Sequence, residues 1–275
     1  PSGIVVVDPA DYQPVLEKLK GGGVSLAERK RLAQKAFQHV ASYDTAISEY
    51  LREAGQELPE EMTIALKKRY SLRYGENPHQ QAAFYAEQSV GKGKPSGITW
   101  AEQLGGKELS FNNILDADAA WAVVTDFAAP TVAVIKHTNP CGLASHEDVA
   151  EAYRRAFSGD EVAAFGGIVA ANRPVTLAMA QEMKPVFYEI VIAPGYDPEA
   201  LKLLKRKRDL RILVAELPPG YGKSQPGYLD FRRVRGGMLV QTSDSLPEDE
   251  VTLRPVTQRQ PTQAEIADLL FAWRA

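Results

Sequence analysis

Short apolar runs and helical periodicities alternate along most of the chain. Apolar runs of strand length predict strands at 131–135, 167–171, 189–193 and 211–216. Apolar residues spaced three or four positions apart predict helices at 147–157, 176–183 and 198–207, the first of them with Ser145 as its N-cap. This alternation is typical of an α/β fold with a mostly parallel sheet and helices on both faces.

A small α/β segment is predicted ahead of that region. Residues 4–7 predict a strand followed at once by a helix, and Ser25 with Glu28 forms a capping box that opens a second helix. Residues 53–71 are charged and interrupted by proline, which is typical of a connector. We therefore predict three parts, 1–52, a linker at 53–71, and a main domain at 72–275.

The two ends of the sequence predict a chain that is a piece of a longer polypeptide. The first predicted strand has no earlier sheet to join. Thr262 and Glu265 form another capping box, and the apolar stripe of the helix that they open continues to the last residues.

Composition restricts the classes of function. With 44% hydrophobic and 24% charged residues the chain is an ordinary globular sequence, and its net charge of -3 favours neither nucleic acid nor an anionic membrane as a partner. One cysteine excludes an intramolecular disulfide and a cysteine-rich zinc site. No apolar run approaches the ~20 residues that span a bilayer. A cytoplasmic protein is expected.

The stretch VAVIKHTNPCGLASHED is the main chemical candidate. An apolar run ends on Lys136 and His137, and ligands of parallel sheets collect at the carboxyl ends of strands. The residues 139–142 predict a tight turn, with Gly142 at positive φ, that holds both side chains ahead of the next helix. A neighbouring ammonium group generally favours a neutral imidazole that accepts protons. For the isolated dipeptide, a solvated lysine and a capping histidine are the more common explanation.

Other segments carry groups suited to an anionic ligand. Arg73 offers a planar guanidinium for phosphate or carboxylate, and Tyr74 adds a hydroxyl, although the segment also fits a structural turn. The SFNN segment at 110–113 opens a helix, where it either binds an anion or caps the helix.

Two candidates mark the starts of predicted strands. Gly166 and Gly167 leave room for a ligand beside the backbone, although a bulge explains them equally well. Glu189 precedes the apolar run IVIAP, so its carboxylate either reaches solvent or meets a hydrogen-bonding partner.

The dipeptide Pro140-Cys141 raises the question of a zinc deaminase. Such enzymes carry His-x-Glu followed by Pro-Cys-x-x-Cys. Here no second cysteine and no His-x-Glu exist, so no metal-activated water and no metal requirement are expected. Cys141 is interpreted as a small packed residue.

Six ordered segments together resemble one family. They are LRYGENPHQ, KELSFNNILDADAAW, IKHTNPCGLA, AFGGIVAANR, EIVIAPGY and RVRGGMLVQ. They resemble the formyltransferase domain of the family that joins aminoimidazole carboxamide ribonucleotide formyltransferase to inosine monophosphate (IMP) cyclohydrolase. Residues 1–52 resemble the end of the cyclohydrolase domain. The resemblance implies a cytidine-deaminase-like fold without zinc and a homodimer with its active site at the interface.

The resemblance also implies the reaction and the residues that perform it. A formyl group passes from the cosubstrate 10-formyltetrahydrofolate to the 5-amino group of aminoimidazole carboxamide ribonucleotide during IMP biosynthesis. His137 is implied as the proton acceptor and Lys136 as the group that stabilises the transition state. The implied nucleotide contacts are Arg73, Tyr74, Gly166 and Glu189, with Asn77, Asn112 and Asn139 as further candidates.

Parts of the family pattern are missing. The resemblance implies that the cyclohydrolase catalytic residues, the second formyltransferase subdomain and most of the folate site lie outside this sequence. Little or no formyl transfer is therefore expected from the isolated chain. The alternatives are a non-catalytic nucleotide-binding module and a structural module of the same protein.

Overall fold

A computed structural model describes residues 3–52, 55, 57–88, 96–222, 228–244 and 251–275. Its contacts divide the chain into two compact units, one of residues 1–69 and 85–93, the other of residues 70–84 and 94–275. The predicted linker at 53–71 falls partly outside the described residues, at 53, 54 and 56, and its last residues, 66–71, belong to a strand. The three-part division of the chain stays a prediction.

The first unit is mainly helical. A 3₁₀ turn at Pro9–Asp11 leads into α1 (Tyr12–Lys20), which is followed by the long helix α2 (Leu26–Tyr50). The strand predicted at 4–7 is wrong, because these residues pair with no neighbour in the part of the chain that the structure describes. Strands β1 (Leu66–Leu72) and β2 (Ala82–Glu87) pair with each other and are divided between the two units.

The start of α2 confirms half of the predicted capping box. The Ser25 hydroxyl accepts a hydrogen bond from the Glu28 N–H at 3.2 Å. The Glu28 carboxylate instead forms ion pairs with Lys18 at 2.8 Å and Arg31 at 3.1 Å. Two cations within reach therefore compete with the backbone donor for this side chain.

The second unit contains the sheet and its helices. Its elements are β3 (Glu102–Gly105), α3 (Phe111–Thr125), β4 (Thr131–Lys136), β5 (Asn139–Ser145), α4 (Val149–Phe157), β6 (Ile168–Ala171), α5 (Leu177–Met183), β7 (Ile190–Ala193), α6 (Pro198–Leu204), β8 (Arg211–Val214), β9 (Leu229–Val234), β10 (Gly237–Thr242) and α7 (Gln263–Arg274). A further 3₁₀ turn lies at Ile98–Trp100. The capping box predicted for Thr262 and Glu265 at the start of α7 is confirmed.

The α/β class and the mostly parallel sheet are confirmed. The six strands lie in the order β3-β8-β7-β6-β4-β5. Strands β6, β7 and β8 are mutually parallel, whereas β4 runs antiparallel to β6 and β5, and β3 runs antiparallel to β8. Strands β5, β6, β7 and β8 therefore point one way, and β3 and β4 point the other way.

Alternate residues of each strand pack against helices on opposite faces. Val132 and Val134 of β4 join the apolar cluster with α4, α5 and α6. Ala133 and Ile135 join a second cluster, which includes the buried face of α3. Successive side chains of a strand point to opposite faces, so a strand covered on both sides must be apolar throughout. All of β4 except Lys136 and Thr131 meets this requirement.

Two predictions around β4 are wrong. The predicted turn at 139–142 is part of strand β5, and Gly142 is not among the glycines with positive φ. Ser145 is not the N-cap of α4, because its hydroxyl bonds the Thr131 hydroxyl at 2.7 Å and the Asp148 side chain accepts from the Ala150 N–H. Pairing with β4 thus keeps residues 139–145 extended, through all four positions where sequence signals placed a turn.

None of the helices in the described ranges combines the length and the apolar character that crossing a bilayer requires.

Candidate active site

One edge of the sheet brings together Lys136, His137, Gly166 and Glu189, because β4 runs antiparallel to both of its neighbours. Ile135 pairs with Ile168, Ile168 with Ile190, and Ile190 with Arg211, so these four residues form a row across the sheet. The end of β4 therefore lies beside the beginnings of β6, β7 and β8. The expectation that the site lies at the carboxyl ends of parallel strands is wrong for β6 to β8, and the antiparallel direction of β4 is the reason.

His137 lies in the two-residue loop that joins β4 to β5. Lys136 pairs with Asn139, which leaves His137 and Thr138 as the central residues of the hairpin. Both have positive φ, 52° and 61°, which is characteristic of a type I′ turn. The turn exposes the imidazole at the sheet edge, and it replaces the predicted turn two residues later.

Lys136 is tied to the loop that carries Gly166. Its Nζ donates a hydrogen bond to the Phe165 carbonyl at 2.9 Å. Gly166 has a φ of 76°, a conformation that glycine adopts without strain. A Cβ on Gly167 would lie 2.8 Å from the Ile135 carbonyl oxygen, so this glycine is required by the close approach of β4. The ammonium group of Lys136 and the Gly166 backbone are thus neighbours.

Glu189 meets a buried arginine. Its Oε2 forms an ion pair of 2.5 Å with Arg211, whose side chain is only 5% exposed, while that of Glu189 is 38% exposed. The Arg211 Nε donates to the Glu108 carbonyl at 2.9 Å, just before α3. The Glu189 N–H donates to the Gly167 carbonyl at 2.9 Å. Contacts therefore connect Lys136, the glycine loop, Glu189 and the beginning of α3 along one edge.

Arg73 and Tyr74 follow β1 at a separate position. Leu72, directly before them, packs against the apolar cluster that contains Ile135 and Ile190. The Arg73 guanidinium lies 5.6 Å from the centroid of the Tyr74 ring. In the described part of the chain, no hydrogen bond or ion pair joins either side chain to the edge residues.

The three asparagine candidates take different places. Asn77 lies in a closed turn, where its N–H donates to Gln80 Oε1 at 2.7 Å. Asn112 is exposed in the first turn of α3, which begins with a capping box of Ser110 and Asn113. Asn139 donates from Nδ2 to the His137 carbonyl at 2.7 Å. Capping explains the SFNN segment, and Asn139 stabilises the turn beside the imidazole.

Cys141 lies on β5 near Lys136. Burial raises the pKa of its thiol, and the nearby Asp160 carboxylate adds to this increase while Lys136 opposes it. A thiol with a raised pKa remains protonated and is a poor nucleophile. Within the described ranges, no group of three or more His, Cys, Asp and Glu side chains has the arrangement to hold a metal ion.

Comparison with known proteins adds the family. Residues 2–275 match the sequence profile described as "AICARFT/IMPCHase bienzyme". The chain belongs to this bienzyme family. Similar proteins named "Bifunctional purine biosynthesis protein PurH" occur in Bacillus cereus (strain G9842), Bacillus anthracis (strain CDC 684 / NRRL 3495) and Bacillus thuringiensis subsp. konkukian (strain 97-27). Each is 46% identical over 272 residues, which are 98% of this chain and 52% of the relative. The chain thus spans about half the length of these members of the bienzyme family.

Sequence reasoning missed two residues of the edge, Arg211 and Asp116. Arg211 begins the apolar run ILV, as Glu189 begins IVIA, and the two runs form neighbouring parallel strands. A charge of opposite sign directly before each of two neighbouring apolar runs was a usable signal for an ion pair, although in the sheet Arg211 lies opposite Ile190 and reaches Glu189 one residue earlier. Asp116 gave no such signal, because its partner, the Thr138 N–H, is a backbone group 22 residues away.

Replacement of Arg211 by methionine is expected to destabilise the bienzyme chain by about 1–2 kcal/mol, because the Glu108 carbonyl and the Glu189 carboxylate lose their charged donor. An unsatisfied buried polar group typically costs about 1–3 kcal/mol. The expected loss lies in the lower part of that range because the partly exposed Glu189 side chain can turn to water. Chemical denaturation of the purified chain measures it. Arg155→Met, at an exposed pair on α4, is the matched control, with an expected loss below about 0.5 kcal/mol. Equal losses for the two variants would contradict the role assigned to Arg211.

Proposed function

We propose that this chain carries the catalytic pair of a formyltransferase of purine biosynthesis. In this reaction a formyl group passes from 10-formyltetrahydrofolate to the 5-amino group of aminoimidazole carboxamide ribonucleotide. One observation carries this proposal. Lys136 ends a buried strand, His137 follows it in the hairpin loop, and the same edge of the sheet holds Gly166 and Glu189. Membership of the bienzyme family and the relatives' name support the same assignment.

His137 acts as the proton acceptor. The 5-amino nitrogen attacks the formyl carbon, a tetrahedral intermediate forms, and the imidazole takes the proton that the nitrogen loses. The bond between the formyl carbon and the folate nitrogen then breaks, and that nitrogen takes up a proton as it leaves. The exposed hairpin loop gives the imidazole access to the amine.

Lys136 stabilises the charge that develops on the formyl oxygen. Its ammonium group is oriented by the Phe165 carbonyl, and a preorganised cation lowers the barrier of a step that builds negative charge. Glu189, whose partly exposed carboxylate is paired with Arg211, accepts hydrogen bonds from the nucleotide. Gly166 provides an approach to the backbone.

Arg73 and Tyr74 bind the nucleotide through its phosphate and sugar. The guanidinium is exposed and forms no ion pair within the described ranges, so its donors are available. We further propose a homodimer with the site at the interface, a cytoplasmic location and no metal requirement. The folate site and the cyclohydrolase activity of the parent protein depend on segments outside this chain.

Titration of aminoimidazole carboxamide ribonucleotide into the purified chain tests the nucleotide site. Saturable binding is expected, and Arg73→Ala is expected to weaken it roughly 10- to 100-fold, as the loss of a hydrogen bond to a charged group does. Calorimetry measures both affinities. The control is Arg155→Ala, which removes another exposed guanidinium, from α4.

Two results would count against the proposal. A chain that remains folded by circular dichroism and does not bind the nucleotide would favour a purely structural module. Equal affinities for Arg73→Ala and Arg155→Ala would remove Arg73 from the nucleotide site.

A further inference from the structure

The turn that carries His137 has a conformation that its own sequence disfavours. Both central residues have positive φ, 52° at His137 and 61° at Thr138. Hairpin loops of this type prefer Asn-Gly, and a β-branched residue such as threonine at positive φ is an outlier. Such conformations persist only where the surrounding structure determines them. Contacts from outside the turn must therefore stabilise it.

Asp116 of α3 makes such a contact. Its Oδ1 accepts a hydrogen bond from the Thr138 N–H at 2.8 Å. The other hydrogen bonds of the turn are local, because the Thr138 hydroxyl and the Asn139 amide both donate to the His137 carbonyl at 2.7 Å. Local bonds move with the turn, whereas the bond to Asp116 fixes the turn relative to another element.

Helix α3 is a firm support for this contact because both of its ends are tied to the sheet. Just before its N-terminus, the Glu108 carbonyl accepts from the Arg211 Nε at 2.9 Å. At its C-terminus, the fully buried Asn172 donates to the Phe127 carbonyl at 2.7 Å. Between these ends α3 packs against β4, β6 and β7. The Asp116 carboxylate therefore has a fixed place relative to the end of β4.

We infer that Asp116 is a positioning residue for His137: by accepting the Thr138 N–H, it holds the strained turn in the conformation that presents the imidazole at the sheet edge. The carboxylate bonds the backbone rather than the imidazole ring, so it acts through the turn. The expected effect of Asp116 on formyl transfer rests on the proposed function. The hydrogen bond itself does not depend on that assignment.

Asp116→Ala is expected to lower kcat for formyl transfer about 10²-fold, the typical cost of misplacing a reacting group by about 1 Å. KM for the nucleotide is expected to change less, because the nucleotide contacts lie on other segments. Turnover is measured in the longest natural polypeptide that contains residues 1–275. Asp116→Asn retains a side-chain oxygen acceptor and is expected to stay within several-fold of the unsubstituted protein. Asp118→Ala, on the same helix, is the matched control and is expected to leave kcat unchanged.

A second substitution separates positioning from direct chemistry. Thr138→Gly removes the side chain that makes positive φ costly, so in the Asp116→Ala background it is expected to recover roughly tenfold of the lost kcat, since glycine adopts this conformation freely. Hydrogen exchange of the Thr138 amide reports the bond directly. Exchange is expected to accelerate in Asp116→Ala and to remain slow in Asp118→Ala.

The outcomes are distinguishable. Unchanged kcat with accelerated exchange would overturn the positioning role, and unchanged exchange would show that Asp116 does not hold the turn. A loss of kcat that Thr138→Gly fails to restore would point to a direct role of the carboxylate and would also overturn the inference. Absence of formyl transfer in the unsubstituted polypeptide would refute the proposed function, and the exchange comparison would still decide whether Asp116 anchors the turn.

Discussion

Removal of the imidazole of His137 is expected to lower formyl transfer by about 10²–10⁴-fold in kcat, the typical contribution of a positioned general base. The residue is exposed in its loop, and the proposed nucleotide contacts lie on other segments. Nucleotide affinity is therefore expected to change only modestly. Initial rates in the longest natural polypeptide that contains residues 1–275 measure the effect.

The residue that replaces His137 determines whether a lower rate can be assigned to the lost imidazole alone. Alanine at position 137 would remove the base and also strain the turn, because the residue has a φ of 52°. Asparagine tolerates the left-handed region, so His137→Asn removes the base and retains the turn. The control His39→Asn changes an exposed histidine of α2 in the first unit. A rate for His137→Asn close to that of the control would assign proton transfer to another group.

The sequence predicted the elements whose signals are local. Strands β6, β7 and β8 are short apolar runs, and each was predicted within two residues of its bounds. The start of α7 was predicted from Thr262 and Glu265, and the capping contacts are present. These features depend on residues a few positions apart, which a single sequence displays.

The hairpin at His137 could not be predicted because its determinants are distant in sequence. Asn-Pro-Cys-Gly is a strong turn signal, yet Pro140 lies in β5, an outer strand where a missing N–H is tolerated. Local residues do not determine whether β4 joins its neighbour in the parallel or the antiparallel direction. That direction places the end of β4 beside Gly167 and Glu189.

The candidate site was predicted as a set of residues and not as an arrangement. The resemblance supplied Lys136, His137, Gly166 and Glu189, and the structure brings the four to one edge of the sheet. The partners that orient them are a carbonyl, a buried arginine and an aspartate on α3. These partners are distant in sequence and come close only when the chain packs, so a single sequence does not reveal them.

Gly142 is the position where a single added carbon is expected to cost the most stability. A Cβ there would lie 1.9 Å from the Ala156 carbonyl oxygen of α4, and backbone cannot turn aside as a flexible side chain can. Strand β5 and α4 would have to separate, which is expected to destabilise the second unit by about 3 kcal/mol, at the upper end of typical overpacking costs. Gly142→Ala is compared with the unsubstituted chain by chemical denaturation.

A control substitution at a second glycine distinguishes steric crowding at Gly142 from the general effect of replacing glycine with alanine. Gly195 also lacks positive φ, and a Cβ there would approach Pro174 only to 4.0 Å. Gly195→Ala is therefore expected to be neutral or to stabilise by up to about 1 kcal/mol, because alanine restricts the unfolded chain more than glycine does. If Gly142→Ala were as stable as Gly195→Ala, the close approach of β5 to α4 would not exist in solution. The edge strand that begins beside His137 would then pack differently, and the geometry that presents the imidazole would have to be revised with it.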